Sequence, residues 1–341
     1  MASDAAFSFL PLGAIIKEFN VGGRNIVAGF QTQEQYAKHN SPYFGETIGR
    51  IANRIKGARL DSLNGKSYTL AANNASNTLH GGNVGWGKRI WVGPTPVGVR
   101  QIPGVDNLVG GESVQFKFTS EDGDEGFPGE VDVSVTYTTG TQQVEGGKEA
   151  TVLGIEYEAR LAGGADETVI NMTNHSYFNL TGDETFDGTT VKLGANTYLP
   201  VTDGIPTGDP VEYPGVEVNK PITLGAKEPA FDNCFTTAAD PAAVPIDTRS
   251  QPLQLHLTAT NPKSGIHLQV LSTEPAFQFY TGDFNNVPVV DGIPAKGPRS
   301  SFACEPGRWT NAPNVPEWKN MTLLKKGETY GARIVYKAWK E

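Results

Sequence analysis

Apolar and polar residues alternate along much of this chain, and a period of two allows one regular structure only, the β-strand. In EVDVSVTY (130–137), Val131, Val133, Val135 and Tyr137 fall on one face and Asp132, Ser134 and Thr136 on the other, the pattern of an antiparallel strand with one buried and one wet face. SVQFKF (113–118), VLGIEYEARL (152–161), LQLHL (253–257), IHLQV (266–270) and ARIVYKAW (332–339) repeat it. No stretch carries a comparable helical period. QEQYAKH (33–39) has room for about two turns before Pro42, which predicts a short helix on a loop. Asp-Gly pairs at 122–123, 187–188, 203–204 and 291–292 supply residues that tolerate positive φ between the strand-like runs. VGPTPVG (92–98) and GIPAKGP (292–298) read as internal loops, because strand patterns resume on both sides of each. With no linker and no internal repeat, residues 1–341 are expected to form a single all-β domain, a large antiparallel β-sandwich or a barrel.

Charge narrows the partners. Lys and Arg number 28 against 37 Asp and Glu, a formal net charge of −9, so the chain has no basic field with which to collect phosphates along a nucleic acid or an anionic membrane. FSFLPLGAII (7–16) is interrupted by Pro11 and Gly13 and is too short to cross a bilayer. Cys234 and Cys304 cannot frame a chain of this length, and one bridge or two free thiols are both compatible with the sequence. Scarce cysteine and the lack of a visible leader point to the cytoplasm. The secreted alternative, with its signal replaced by an initiator Met, is kept open by the tripeptides NAS at Asn74 and NMT at Asn320.

Five histidines are present, none in a spacing that presents two ligands from one element, so no metal is expected. His256 and His267 sit inside strand patterns, where an imidazole on the polar face needs no function. His80 and His175 lie in NTLHGGNVGWG (77–87) and NMTNHSYFNL (171–180), loop-like segments crowded with hydroxyl-binding groups. The glycines after His80 lack the spacing and the Lys-Ser/Thr of a phosphate loop. GRIANRI (49–55) places Arg50 and Arg54 four apart among isoleucines; taken alone, each is expected to be a surface arginine in an ion pair, with a fork for hydroxyls or carboxylates as the alternative. Asp232 in AFDNCF and Glu305 in SFACEPGRW are embedded in apolar runs, where a carboxylate needs a partner or a task. Desolvation would raise the pKa of Glu305, and a neighbouring arginine would lower it.

Together these segments resemble the aldose 1-epimerase (galactose mutarotase) family. The likeness rests on SPYFGETIGRIANRI (41–55), TLHGG followed by GW and K (78–88), SEDGDEGFPGEVDVSVTY (120–137), TNHSYFNLTG (173–182), YLPVTDGIPTG (198–208), FDNCF (231–235), FQFYTGDF (277–284) and FACEPGRW (302–309), in family order. The resemblance implies a large antiparallel β-sandwich of the galactose mutarotase type and the interconversion of α and β anomers of free hexoses such as glucose and galactose. It places Glu305 as general base and His175 as general acid, with Arg54, His80, Asp232, Gln278 and Asn53 binding the sugar. No cofactor is implied. The expected partner is a small monosaccharide, with no nucleic acid and no membrane, and the expected assembly is a monomer or weak homodimer. Two departures stand out. Asn233 occupies the place where the family commonly has His, and Pro306-Gly307-Arg308-Trp309 follows the acid where Thr-Gln is more usual. Three alternatives remain. A hexose-6-phosphate epimerase would recruit Arg50, Lys88, Arg89 or Arg308; a noncatalytic sugar binder would not need the Glu305/His175 pair; a glycosidase would use Asp232 with Glu305.

Overall fold

A computed structural model describes residues 6–341. Its largest element is a nine-stranded antiparallel sheet. In spatial order the strands are Ile222–Leu224, Thr189–Leu193, Gln254–Asn261, Ile266–Ser272, Tyr330–Lys340, Lys148–Gly163, Glu130–Val144, Val109–Ser120 and Val92–Val99. Facing it is a six-stranded sheet of Tyr177–Phe178, Phe302–Gly307, Ala276–Tyr280, Asp232–Thr236, Thr197–Tyr198 and Val211–Glu212. The inner faces share one apolar core. Val131, Val135 and Tyr157 from the large sheet join Phe235, Phe277, Phe279 and Phe302 from the small one, which makes the fold an antiparallel β-sandwich.

Every alternating segment named above lies in a strand of the large sheet, LQLHL from its second residue on, and QEQYAKH forms the helix Gln33–His39, opened by a Thr32/Gln35 capping box. Three expectations need correction. VGPTPVG is not a loop but most of the edge strand Val92–Val99. Pro94 and Pro96 are tolerated there because an edge strand has one side whose N–H groups need no partner. The outer face of the large sheet is not wholly wet, since Ile102, Val105 and Leu108 lie across it against Val152 and Val335. Thr136 is buried accordingly. His256 is not on a polar face. A bulge between Leu255 and Leu257 shifts the alternation by one residue and turns the imidazole inward, where it is wholly buried and stacks on Phe277 at 4.9 Å. His267 stays at the surface side, paired with Glu341 at 2.8 Å. Cys234 and Cys304 are buried free thiols.

Candidate active site

The small sheet uses its two faces differently. Phe277 and Phe279 point into the core, so Gln278 and Tyr280 point away from it. Register carries this across the sheet: Gln278 is opposite Glu305 and Cys234, and Tyr280 is opposite Asp232. Directly opposed residues share a face, so Asp232, Gln278, Tyr280 and Glu305 emerge together on the outer side. Shorter elements build the other wall. Arg54 pairs with Leu79 in a two-residue ladder that also delivers Asn53 and His80, and the segment 41–43 closes the side. Between them is a cavity of about 320 Å³. All seven residues singled out from the sequence line it: Asn53, Arg54, His80, His175, Asp232, Gln278 and Glu305.

Glu305 and His175 meet on its floor, Oε2 to Nε2 at 3.3 Å, both buried. Burial, reinforced by the charge of Asp232 and opposed by Arg54, raises the Glu305 carboxyl to about 8; desolvation outweighs the arginine. Burial lowers His175 to about 3, with Lys88 adding to the effect. Its backbone is locked on both sides, its N–H donating to Glu46 O at 2.9 Å and its carbonyl accepting from Gly45 N–H at 3.0 Å, and its ring stacks on Tyr177 at 5.0 Å. Asn174 next to it is structural, donating to Gly45 O and accepting from Ser176 N–H. Asn171 and Asn179 likewise bind main chain, so the functional content of that polar segment is its histidine.

His80 accepts a hydrogen bond at Nδ1 from Asn53 N–H, 3.2 Å, which leaves the proton of the neutral ring on Nε2. Burial, then the neighbouring His175, Arg54 and Lys88, holds its pKa well below the ordinary value. Among the described residues, one cluster has metal-type ligand atoms within 4.8 Å of one another: His80, His175 and Glu305. The tautomer of His80 gives its Nε2 no lone pair for a cation, so the set fits donation and acceptance toward hydroxyls better than a metal. Arg54 donates from Nε to Asn74 Oδ1 at 3.0 Å and from Nη1 to Asn53 Oδ1 at 3.3 Å. Asn53 Nδ2 donates to Gln278 Oε1 at 3.1 Å, and Gln278 Nε2 to Asp232 Oδ1 at 2.7 Å. Contrary to the expectation of a costly buried charge, Asp232 is exposed at the cavity mouth. Tyr43, Asn53 and His80 adopt left-handed backbone, φ +66°, +58° and +49°, a concentration of strain that marks functional segments.

The arginines separate cleanly. Arg50 is buried, with no ion pair among the described residues. Its guanidinium donates to Pro128 O, Gly129 O and Ser120 Oγ, which corrects the surface expectation. Arg308 is buried on Glu274, Nε to Oε2 at 3.0 Å, so the unusual residues after the acid turn this side chain away from the cavity. Lys88 is paired with Glu46, and Arg89 with Asp124. Among the described residues, Arg54 is the one Lys or Arg lining the cavity, and the phosphate-binding alternative loses its basis. Tyr43, Tyr177, Tyr280 and Phe284 also line it and were not singled out from the sequence. Tyr280 was within reach, being two residues beyond Gln278 on the same face; Tyr43 carries no periodic signal.

A two-sheet sandwich thus carries a buried carboxyl–imidazole contact, one arginine and a second histidine around a cavity with room for a small polar molecule. The family model for aldose 1-epimerase matches residues 2–337, and the chain belongs to that family. It is similar to the bifunctional protein gal10 of Schizosaccharomyces pombe, 36% identical over 97% of this chain and 43% of that protein, and so spans less than half the length of that relative. It is also 35% identical to the galactose mutarotase of Sus scrofa, over 92% of this chain and 84% of that one. Among solved structures, a GalM/aldose epimerase homologue from C. elegans superposes with a TM-score of 0.79 at 27% identity, covering 98% of this chain and 95% of the other.

Proposed function

We propose that this chain is an aldose 1-epimerase, interconverting the α and β anomers of free hexoses such as galactose and glucose. The observation that carries this reading is the 3.3 Å contact between Glu305 and His175 on the cavity floor. Mutarotation moves one proton off the anomeric hydroxyl and one onto the ring oxygen. Those two oxygens are bonded to the same carbon, so the acid and the base must be neighbours. Glu305 as carboxylate takes the hydroxyl proton while His175 donates from Nε2 to the ring oxygen, and the bond from C1 to the ring oxygen breaks to give the open-chain aldehyde. Rotation about C1–C2 presents the other carbonyl face, and both transfers reverse on closure, leaving the proton count of the enzyme unchanged. Arg54, Asp232, Gln278 and Asn53 hold the sugar's hydroxyls, and the Nε2–H of His80 supplies a fixed donor. Nothing in this scheme calls on a cofactor.

The glycosidase reading asks for two carboxyls separated enough to flank a bond, whereas here the partner touching Glu305 is a histidine. A noncatalytic binder has no use for a desolvated carboxyl in contact with an imidazole. We further propose a cytoplasmic protein acting as a monomer or weak homodimer: both thiols are free, the Asn320 amide nitrogen is taken up by the carbonyls of Pro241 and Val244, and one chain supplies every residue named in the cavity. No helix among the described residues is long and apolar enough to cross a membrane.

Polarimetry on freshly dissolved α-D-galactose and α-D-glucose tests the reading. Catalytic protein is expected to speed relaxation to an unchanged final rotation, and Glu305→Gln and His175→Asn are each expected to lose about 10²–10⁴ of that acceleration. Relaxation no faster than buffer for both sugars refutes it.

A further inference from the structure

The sequence motif left without a role is the asparagine-rich stretch AANNASN (71–77), first read as carrying a glycosylation tripeptide at Asn74. Its asparagines are all at work. Asn73 braces the segment around His80, accepting from Leu79 N–H at 2.7 Å and donating to Leu79 O and Gly82 O. Asn77 accepts from Gly57 N–H at 2.9 Å, tying the loop to the turn just after Arg54. Between them Asn74 is fixed by a reciprocal pair of backbone hydrogen bonds with Asn77, 3.1 and 2.9 Å, and its Oδ1 accepts the Nε–H of Arg54 at 3.0 Å. On another side the Asp203-Gly204 turn closes against the same guanidinium. Gly204 has φ +74°, and a Cβ there would lie 2.7 Å from Arg54 Nε. Asn53 takes one Nη1 hydrogen, and among the described residues no protein acceptor takes Nη2.

A guanidinium is a rigid planar fork, so fixing Nε and Nη1 fixes the direction of the remaining N–H groups. We infer that Asn74 is a positioning residue for sugar binding: its carboxamide oxygen sets the plane of the Arg54 guanidinium so that the unclaimed Nη2 edge meets a hydroxyl of the hexose. The inference rests on the reading of Arg54 as a sugar-binding residue. Asn74 touches no substrate and acts only through that arginine. An arginine released from this acceptor keeps its charge and loses its aim, which weakens ground state and transition state alike and so moves KM more than kcat.

The test is polarimetry of α-D-galactose over a range of concentrations with wild type, Asn74→Ala, Asn74→Asp, Arg54→Ala and the Asn74→Ala/Arg54→Ala double variant. Asn74→Ala is expected to raise KM about tenfold with kcat held within about twofold, the scale of one hydrogen bond to a charged group. Asn74→Asp, which keeps an acceptor oxygen, is expected to restore KM, and the double variant to match Arg54→Ala. Should the alanine variant fail to fold, Asn74→Gly keeps the turn preference while withdrawing the acceptor, and the same rise in KM is expected of it. A wild-type KM in the folded variants that lack the acceptor, beside a raised KM in Arg54→Ala, overturns the role of Asn74 alone, as does an effect that multiplies with Arg54→Ala. A wild-type KM in Arg54→Ala overturns the reading of Arg54 and the inference with it.

Discussion

Between about 3 and about 8 the Glu305–His175 pair holds one proton, because burial depresses the imidazole and raises the carboxyl. In the unliganded site that proton belongs on the carboxyl side. The proposed reaction needs the same count with the proton on the imidazole, and the 3.3 Å contact is the path between the two arrangements. Activity therefore follows the one-proton pair. kcat/KM on α-D-galactose, corrected for the spontaneous rate at each pH, is expected to be flat through neutrality and to fall above about 8 as the pair loses its proton. A rate still climbing beyond that point would refute the assignment. Stability carries the opposite signature. A carboxyl whose folded pKa is raised costs the fold nothing below the ordinary carboxylate range and becomes adverse as pH climbs from that range through about 8. Glu305→Gln is thus expected to melt with wild type near pH 5 and several degrees above it near pH 9, a difference on the order of a few kcal/mol. The site would then be held at the expense of the fold, and a scanning calorimeter at the two pH values checks it.

In the strand Ala276–Tyr280 neighbouring residues serve opposite ends. Phe277 is wholly buried in the core, whereas Gln278 faces the cavity beside Glu305. Phe277→Ala is expected to remove about 3–5 kcal/mol of stability with little change in KM at temperatures where the variant is folded. Gln278→Ala is expected to leave the urea midpoint nearly unchanged and to raise KM for galactose. Denaturation curves and polarimetry on the pair separate the two faces. FQFY carries the same period of two as EVDVSVTY, in which a half-buried strand writes its burial, but it entered the sequence reading only through the family likeness. Illegible pieces have physical reasons. Arg54–Ile55 and Thr47–Ile48 are strands of two residues, too short to carry any period. Val92–Val99 was hidden by prolines that only an edge position permits, and the inward turn of His256 by a bulge that no local residue type announces. Among the site residues, His175 and Glu305 stood out as polar groups in apolar or aromatic company. Tyr43 did not, because its place against both histidines, ring centroids 4.8 and 5.7 Å away, joins segments far apart in sequence.

Across the whole molecule, the strand Tyr330–Lys340 occupies the centre of the nine-stranded sheet, between Lys148–Gly163 and Ile266–Ser272. Without it the sheet is two unconnected pieces, one of four strands on each side. Its inner residues Ile334, Tyr336 and Ala338 belong to the same core as Phe178 and Phe302 of the small sheet, and Tyr336 OH reaches Asn174 Oδ1 at 3.3 Å, next to His175. This strand thus joins both halves of the large sheet and braces the floor of the cavity. Its pairing with Lys148–Gly163, Thr151 opposite Ala338, spans more than half of the sequence, so completing the sheet depends on a long-range contact. We therefore propose that residues 1–341 fold as one domain. Calorimetry is expected to show a single transition whose van't Hoff and calorimetric enthalpies agree, with loss of near-ultraviolet circular dichroism and of mutarotase activity at the same midpoint. A chain ended before Tyr330 is expected to lack cooperative unfolding altogether. Two resolved transitions, or a truncated chain that keeps a sharp melt, would show that one flank of the large sheet stands alone and would move the domain boundary inside it.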